Sequence, residues 1–164
     1  MTVFANLVIG QDGSTTANGA SAQLSSPEDR KRFHELRKRA DAILIGGNTA
    51  RNEPYGSTPK PLIIVTKMES ITEVEKNPNA IISHNHPKES IKEAQKKFGE
   101  NILIEGGPKL LLEVIEAIDE LYITIANRSG DGQQVSFDGL TRDFIMENME
   151  KINGEIFYKF TRQR

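Results

Sequence analysis

The chain has 164 residues, 37% of them hydrophobic, and a formal net charge of −2 at pH 7. That content buries one ordinary core, and the charge gives no global attraction to nucleic acid or anionic lipid. It contains no cysteine, which excludes disulfides, thiolate metal sites and thiol nucleophiles. No apolar run is long enough to span a bilayer, and the N-terminus lacks the zones of a signal peptide. The expectation is therefore a soluble, cytoplasmic, single-domain protein over residues 1–164.

In chain order, Thr2 to Ile9 reads as a strand interrupted by one polar residue, Asn6. Gly10 to Ser21 has the turn composition of a surface loop, and loops of that length often serve as lids. Ser26-Pro27-Glu28-Asp29 marks a helix start, with serine as cap, proline at the first position and carboxylates in the first turn. The helix runs to about Arg39. On it Arg30, His34 and Arg37 share a face beside an apolar stripe of Phe33, Leu36 and Ala40. Arg37 borders that stripe and is expected to hold a fixed position. Lys31, Arg32, Lys38 and Arg39 read as solvated charges.

Two later stretches share one pattern. Ala42-Ile43-Leu44-Ile45-Gly46-Gly47-Asn48-Thr49 is an aliphatic strand ending in two glycines and a helix cap. Ile102-Leu103-Ile104-Glu105-Gly106-Gly107-Pro108-Lys109 repeats it, with a carboxylate at the strand end and proline opening a helix that carries Leu111, Val114, Ile115 and Ile118. Unbroken aliphatic runs suit parallel strands covered on both faces. Glycines there can take positive φ and let a ligand approach the backbone. In open α/β sheets ligands sit at the carboxyl ends of strands, and helix N-termini attract phosphate. Together the two turns point to one extended, phosphate-bearing ligand.

Leu62 to Val65 is a further buried strand ending in Thr66-Lys67, either a hydroxyl and a cation placed for a cofactor's ribose phosphate or a strand end with a solvated lysine. Ala80 to Ile82 is a weaker strand, and Lys88 to Phe98 an amphipathic helix. His84-Asn85-His86 lacks a third ligand with a supporting shell and reads as a loop rather than a metal site. Leu121 to Ile125 and Ile156 to Phe160 alternate as antiparallel strands do. A helical turn is expected from Asp143 to Glu150, between them. The fold class is α/β, three layers, with a mostly parallel central sheet and antiparallel C-terminal strands.

Neither glycine pair carries the Lys-Ser/Thr of a P-loop or the full three-glycine dinucleotide fingerprint, and no serine sits in a nucleophile elbow. A parallel sheet with two glycine turns, a polar lid and a few carboxylates fits redox chemistry with a bound dinucleotide, in which the cofactor carries the hydride and the protein orients it.

In this order, Ala5 to Gly13, Ser25 to Arg30, His34 to Arg37, Ala40 to Gly46, Thr49, Glu105 to Pro108 and Asp119 to Leu121 resemble the reductase domain of riboflavin biosynthesis, which has a dihydrofolate-reductase-like fold. The resemblance implies an NADPH-dependent reductase that opens the ribosyl group of a pyrimidine nucleotide to a ribityl chain. It also implies a homodimer with a small-molecule substrate and no bound metal. On the substrate side it implies Asn6, Ser21, His34, Arg37 and Glu105. On the cofactor side it implies Val8, Thr15, Gly46, Gly47, Thr49, Glu53, Thr66, Lys67, Gly106, Gly107, Pro108, Lys109 and Leu110. Asp12, in the Asp-Gly turn, would lie near the reacting centre with Glu105.

Two departures bear on the substrate. The loop after Glu53 is short and lacks the arginine that the riboflavin enzymes use for the substrate phosphate. Gln23 also stands where tryptophan is common. A stand-alone reductase of a pterin or another small carbonyl or imine compound is thus an alternative, as is a nucleotide-binding domain without catalysis. Glu105 either faces the substrate or pairs with a neighbouring cation.

Overall fold

The computed structural model describes residues 1–164. Eight strands form one sheet: β1 (Thr2–Ile9), β2 (Ala42–Gly46), β3 (Leu62–Val65), β4 (Ala80–Ser83), β5 (Asn101–Ile104), β6 (Glu120–Ile125), β7 (Phe144–Ile152) and β8 (Glu155–Arg162). Their order is β4-β3-β2-β5-β1-β6-β8-β7. The pairs from β4 through β6 are parallel, and β8 runs antiparallel to both β6 and β7. Five α-helices connect them: α1 (Pro27–Arg39), α2 (Gly47–Asn52), α3 (Pro87–Phe98), α4 (Pro108–Val114) and α5 (Phe137–Thr141). No helix is long and apolar enough to cross a membrane.

Alternation along β1 distributes the core. Val3, Ala5, Leu7 and Ile9 pack with Ile91 and Ala94 of α3 and with Leu111 and Val114 of α4. Phe4 faces the other way, against Leu36 of α1 and Ala40 just after it, together with Leu103 and Tyr122. Ile43, Ile45, Leu62 and Ile64 meet Ala50 of α2 and Tyr55 on that same side. The sheet is thus the middle of three layers, as the aliphatic strands required. α1 starts where its sequence said it would: the Ser26 hydroxyl accepts from the Asp29 amide at 3.1 Å, and Pro27 is the first helical residue.

Two expectations are corrected. Phe144 to Glu150 lies in strand β7 rather than in a helical turn; the short helix α5 precedes it. β7 is a sheet edge whose Ile145, Met146 and Met149 are exposed, so its sequence shows no burial alternation. What fixes it is the turn to β8, where Asn153 and Gly154 take φ of 51° and 81°, the geometry of a tight hairpin. Arg32 and Arg39 are also more than solvated charges. Arg32 lies over the Tyr122 and Phe157 rings and donates to the Tyr158 carbonyl, and burial lowers its pKa to about 10. Arg39 covers Phe4 and donates to Glu120 at 2.9 Å and to the Tyr122 hydroxyl at 2.7 Å.

Candidate functional site

The carboxyl ends of β1, β2, β3 and β5 open into a cleft of about 1090 Å³ that both glycine turns line. Ligand pockets are typically of order 300–1,000 Å³, so this one has room for two ligands side by side. Its position follows from topology, because β5 lies between β1 and β2 and the chain leaves these neighbouring strand ends in different directions.

The glycine turns abut. The Glu105 amide donates to the Leu44 carbonyl at 3.0 Å, and the Gly107 amide donates to the Thr49 hydroxyl at 3.2 Å. None of Gly46, Gly47, Gly106 and Gly107 has positive φ, so the expected left-handed turn is absent. Their role is space. A Cβ on Gly107 would meet only the Thr49 hydroxyl, at 3.8 Å, so a side chain there would project into the cleft. Gly106 is confined instead by the helix that follows it, since a Cβ would approach Leu110 Cδ2 to 2.8 Å. Pro108, Lys109 and Leu110 begin α4 and, like Val8, line the cleft.

At one end of the cleft stand Thr66 and Lys67, joined by Arg51 of α2 and by His84. His84 Nδ1 lies 2.9 Å from the Thr66 carbonyl. Arg51 and His84 are absent from the sequence expectation for this end. Parallel pairing of β3 with β4 brings the residues after both strands to the same edge, and that pairing was the signal for His84. His86 lines the cleft too and accepts from the Lys88 amide at the start of α3.

At the other end lie Asn6, Ser21 and the α1 face carrying Arg30, Phe33, His34 and Arg37. Glu105 is almost wholly buried here. Arg37 grips it at two points, Nε to Oε1 at 2.7 Å and Nη2 to Oε2 at 2.8 Å, and Tyr55 Oη donates to Oε2 at 2.7 Å. The Arg37 guanidinium also lies 4.2 Å from the centre of the Phe33 ring. Burial works against the Arg37 charge, but the bond to Glu105 and its attraction prevail and hold the guanidinium more firmly protonated than usual. Burial first, and the Glu105 carboxylate second, push the Tyr55 hydroxyl well above its ordinary range. Tyr55 was missed in the sequence because its role depends on a partner fifty positions away.

Other expected residues serve the walls. Glu53 lines the cleft and accepts from the Ser21 amide, tying the lid to the end of α2. Thr15 donates its hydroxyl to the Gln133 carbonyl at 2.8 Å. Asp12 is not in the cleft lining. Its carboxylate accepts from the Ser14 hydroxyl and amide and from the Gly130 amide. The Ser14 bonds hold its pKa below the usual carboxylate value, the reverse of what proton donation near neutrality needs. The expectation of Asp12 at the reacting centre is thereby corrected: it staples the loop Gly10 to Ser14 to the segment at Gly130.

The family model described as RibD C-terminal domain matches residues 1–143. No curated protein matches the sequence significantly. Among solved structures, a pyrimidine reductase-like protein from Corynebacterium diphtheriae is 19% identical, with a TM-score of 0.76 over 99% of this chain and 92% of that one. A Thermotoga maritima diaminohydroxyphosphoribosylaminopyrimidine deaminase/5-amino-6-(5-phosphoribosylamino)uracil reductase is 17% identical with a TM-score of 0.73; 99% of this chain spans 56% of that one. Dihydrofolate reductase from Enterococcus faecalis, complexed with NADP(H) and RAB-propyl, is 18% identical with a TM-score of 0.76 over 99% and 97% of the two chains. At these identities the likenesses establish a shared fold, the dihydrofolate-reductase-like one.

Proposed function

The chain belongs to the RibD C-terminal domain family, and from that premise we propose that it is an NADPH-dependent reductase acting on a ribosylamino-pyrimidine type of substrate. The observation that carries the reading is a cleft large enough for two ligands, floored by glycines whose missing side chains leave the backbone bare. When bound, the dinucleotide supplies the hydride.

The residues present fit that cofactor. Gly46 and Gly107, where a Cβ would meet nothing nearer than 3.8 Å, give it close approach to the backbone, whereas the bare Gly47 makes room for Thr66; Thr49 holds the two turns together through the Gly107 amide. Lys67 and Arg51, with Thr66 and His84, form the cationic end that a ribose phosphate would occupy. On the substrate side Arg37, fixed by Glu105 and Phe33, orients the ligand, and His34, Asn6 and Ser21 complete the wall. Glu105 holds Arg37 in place and, through Tyr55, closes the base of this half.

One observation favours a second reading. Tyr55, in the short loop after Glu53, occupies the Glu105 carboxylate, and that loop carries no arginine for a substrate phosphate. This suits a smaller, unphosphorylated substrate such as a pterin. A substrate panel of ribosylamino pyrimidines, with and without the phosphate, and pterins, run with NADPH and NADH side by side, tests both. Substrate-dependent loss of NADPH absorbance supports a reductase, and the compound turned over selects the reading. Saturable NADPH binding without turnover on any of them makes the domain a binding module instead.

A further inference from the structure

Arg51 of α2 is a cation held in place without an anion. It lines the cleft beside Thr66 and Lys67, yet it belongs to none of the protein's ion pairs. Neutral groups fix its guanidinium instead. Nη2 donates to the Asn48 amide oxygen, and Nη1 donates to the Met68 thioether, with Nη1 and Sδ 3.1 Å apart. Gly47 leaves the guanidinium its seat, since a Cβ there would come within 3.3 Å of Nη1. Met68 lies just after β3, where its amide donates to the Thr66 hydroxyl at 3.2 Å. Its side chain is 49% exposed and stands outside the cleft lining, so an oxidant in solution reaches it without entering the cleft.

A thioether is a weak acceptor. It orients Arg51 without competing for it, which leaves the charge to a phosphate, the partner that binds a guanidinium most strongly. A sulfoxide behaves differently, because oxidation makes this side chain polar and chiral, with the oxygen on one or the other lone pair of the sulfur. An oxygen on the Arg51 side has no room within a 3.1 Å contact, so the guanidinium must leave its seat and is then held by a strong acceptor. An oxygen on the far side leaves the positive end of the S–O dipole facing the guanidinium. Either epimer disturbs Arg51.

We infer that Met68 is a peroxide-sensitive modification site that controls how Arg51 meets the cofactor's ribose phosphate, so that its oxidation weakens NADPH binding and spares NADH binding. This rests on the reading of that end of the cleft as the phosphate seat and adds a regulation to it. In the step itself hydrogen peroxide gives one oxygen to the sulfur. The O–O bond breaks and an S–O bond forms on a sulfur lone pair; the sulfur is oxidised by two electrons, and the other oxygen leaves as water with both protons. Methionine sulfoxide reductases reverse the change, which makes it a switch. An NADPH-consuming reductase would thereby slow while peroxide is present and recover afterwards.

Treatment of the full chain with hydrogen peroxide tests this, with oxidised methionines located by peptide mass spectrometry and NADPH and NADH affinities measured by fluorescence titration before and after. Met1 and, at the far edge of the sheet, Met146 and Met149 are exposed as well, so Met68→Leu is the variant in which only these others oxidise. Wild type oxidised at Met68 is expected to lose at least about fivefold in NADPH affinity while NADH affinity stays within about twofold. Methionine sulfoxide reductases should restore it. Treated Met68→Leu should keep the affinities it had before treatment. A preference for NADPH that survives oxidation of Met68, an equal loss for both cofactors, or the same loss in treated Met68→Leu overturns the inference. So does a Met68 that stays reduced while Met146 and Met149 oxidise. Untreated wild type that binds NADPH no better than NADH overturns the phosphate seat, and the inference with it, so the untreated protein tells the two failures apart.

Discussion

Arg37 and Glu105 meet in a two-point ion pair, with contacts of 2.7 and 2.8 Å and side chains only 11% and 2% exposed. One partner comes from α1 and the other from the end of β5, so the pair locks a helix to the sheet where the cleft opens. Removing one charge from such a pair strands the other. Glu105→Gln is therefore expected to lower the unfolding free energy by about 3 kcal/mol, measured by urea denaturation. A variant as stable as wild type would mean that Glu105 is free for the substrate, as the resemblance alone implied.

Tyr55 gives a pH signature. Its folded-state pKa is raised, so ionisation begins first in the unfolded chain, at about pH 10. Above that pH the unfolded chain binds fewer protons than the folded one, and stability falls as pH rises. Tyr55→Phe removes this loss together with the hydrogen bond to Glu105. The stability advantage of wild type over Tyr55→Phe should be constant from pH 7 to 9 and shrink above about pH 10. A difference independent of pH up to 11 would contradict the buried placement of this hydroxyl.

Asp12 behaves in the opposite sense. Its pKa is depressed by Ser14, so its stabilising effect is present above the unfolded value and is lost as pH falls through the folded one. Asp12→Asn should melt lower than wild type at neutral pH and converge with it in acid, while turnover per folded molecule stays the same. A large loss of turnover at unchanged melting temperature would return Asp12 to the reacting centre.

The central elements were legible because their physics is local. Unbroken aliphatic runs marked β2, β3 and β5, and serine, proline and carboxylates marked α1. β7 was not, because an exposed edge strand carries no burial pattern; its signal was Asn153-Gly154, a turn rather than a strand. Arg37 and Glu105 could each be picked out singly, the first by its place beside an apolar stripe and the second by a carboxylate after three aliphatic residues. Their partnership spans 68 positions and includes Tyr55, which no local pattern predicts. Asp12 was misread for the same reason: Gly130, which donates to it, lies 118 positions away.

The open space at Gly107 makes it the sharpest probe of the cofactor half. Gly107→Val adds a side chain that meets little protein and projects where the dinucleotide would lie. NADPH affinity should fall at least about tenfold, roughly 1.4 kcal/mol, with a melting temperature near wild type. Unchanged affinity in the folded variant would place the cofactor elsewhere. Lys67→Ala should narrow any preference for NADPH over NADH, read from paired fluorescence titrations; an unaltered ratio would remove Lys67 from phosphate recognition.

The reductase reading is tested most directly by following the hydride itself. NADPH carrying deuterium at the transferable position of the nicotinamide is incubated with the full chain and a ribosylamino pyrimidine, and the product is weighed by mass spectrometry. A ribityl product bearing one deuterium on the former sugar carbon is expected, formed by wild type and strongly diminished in Gly107→Val. Consumption of the substrate without deuterium in the product, or no product while NADPH binds saturably, would contradict it.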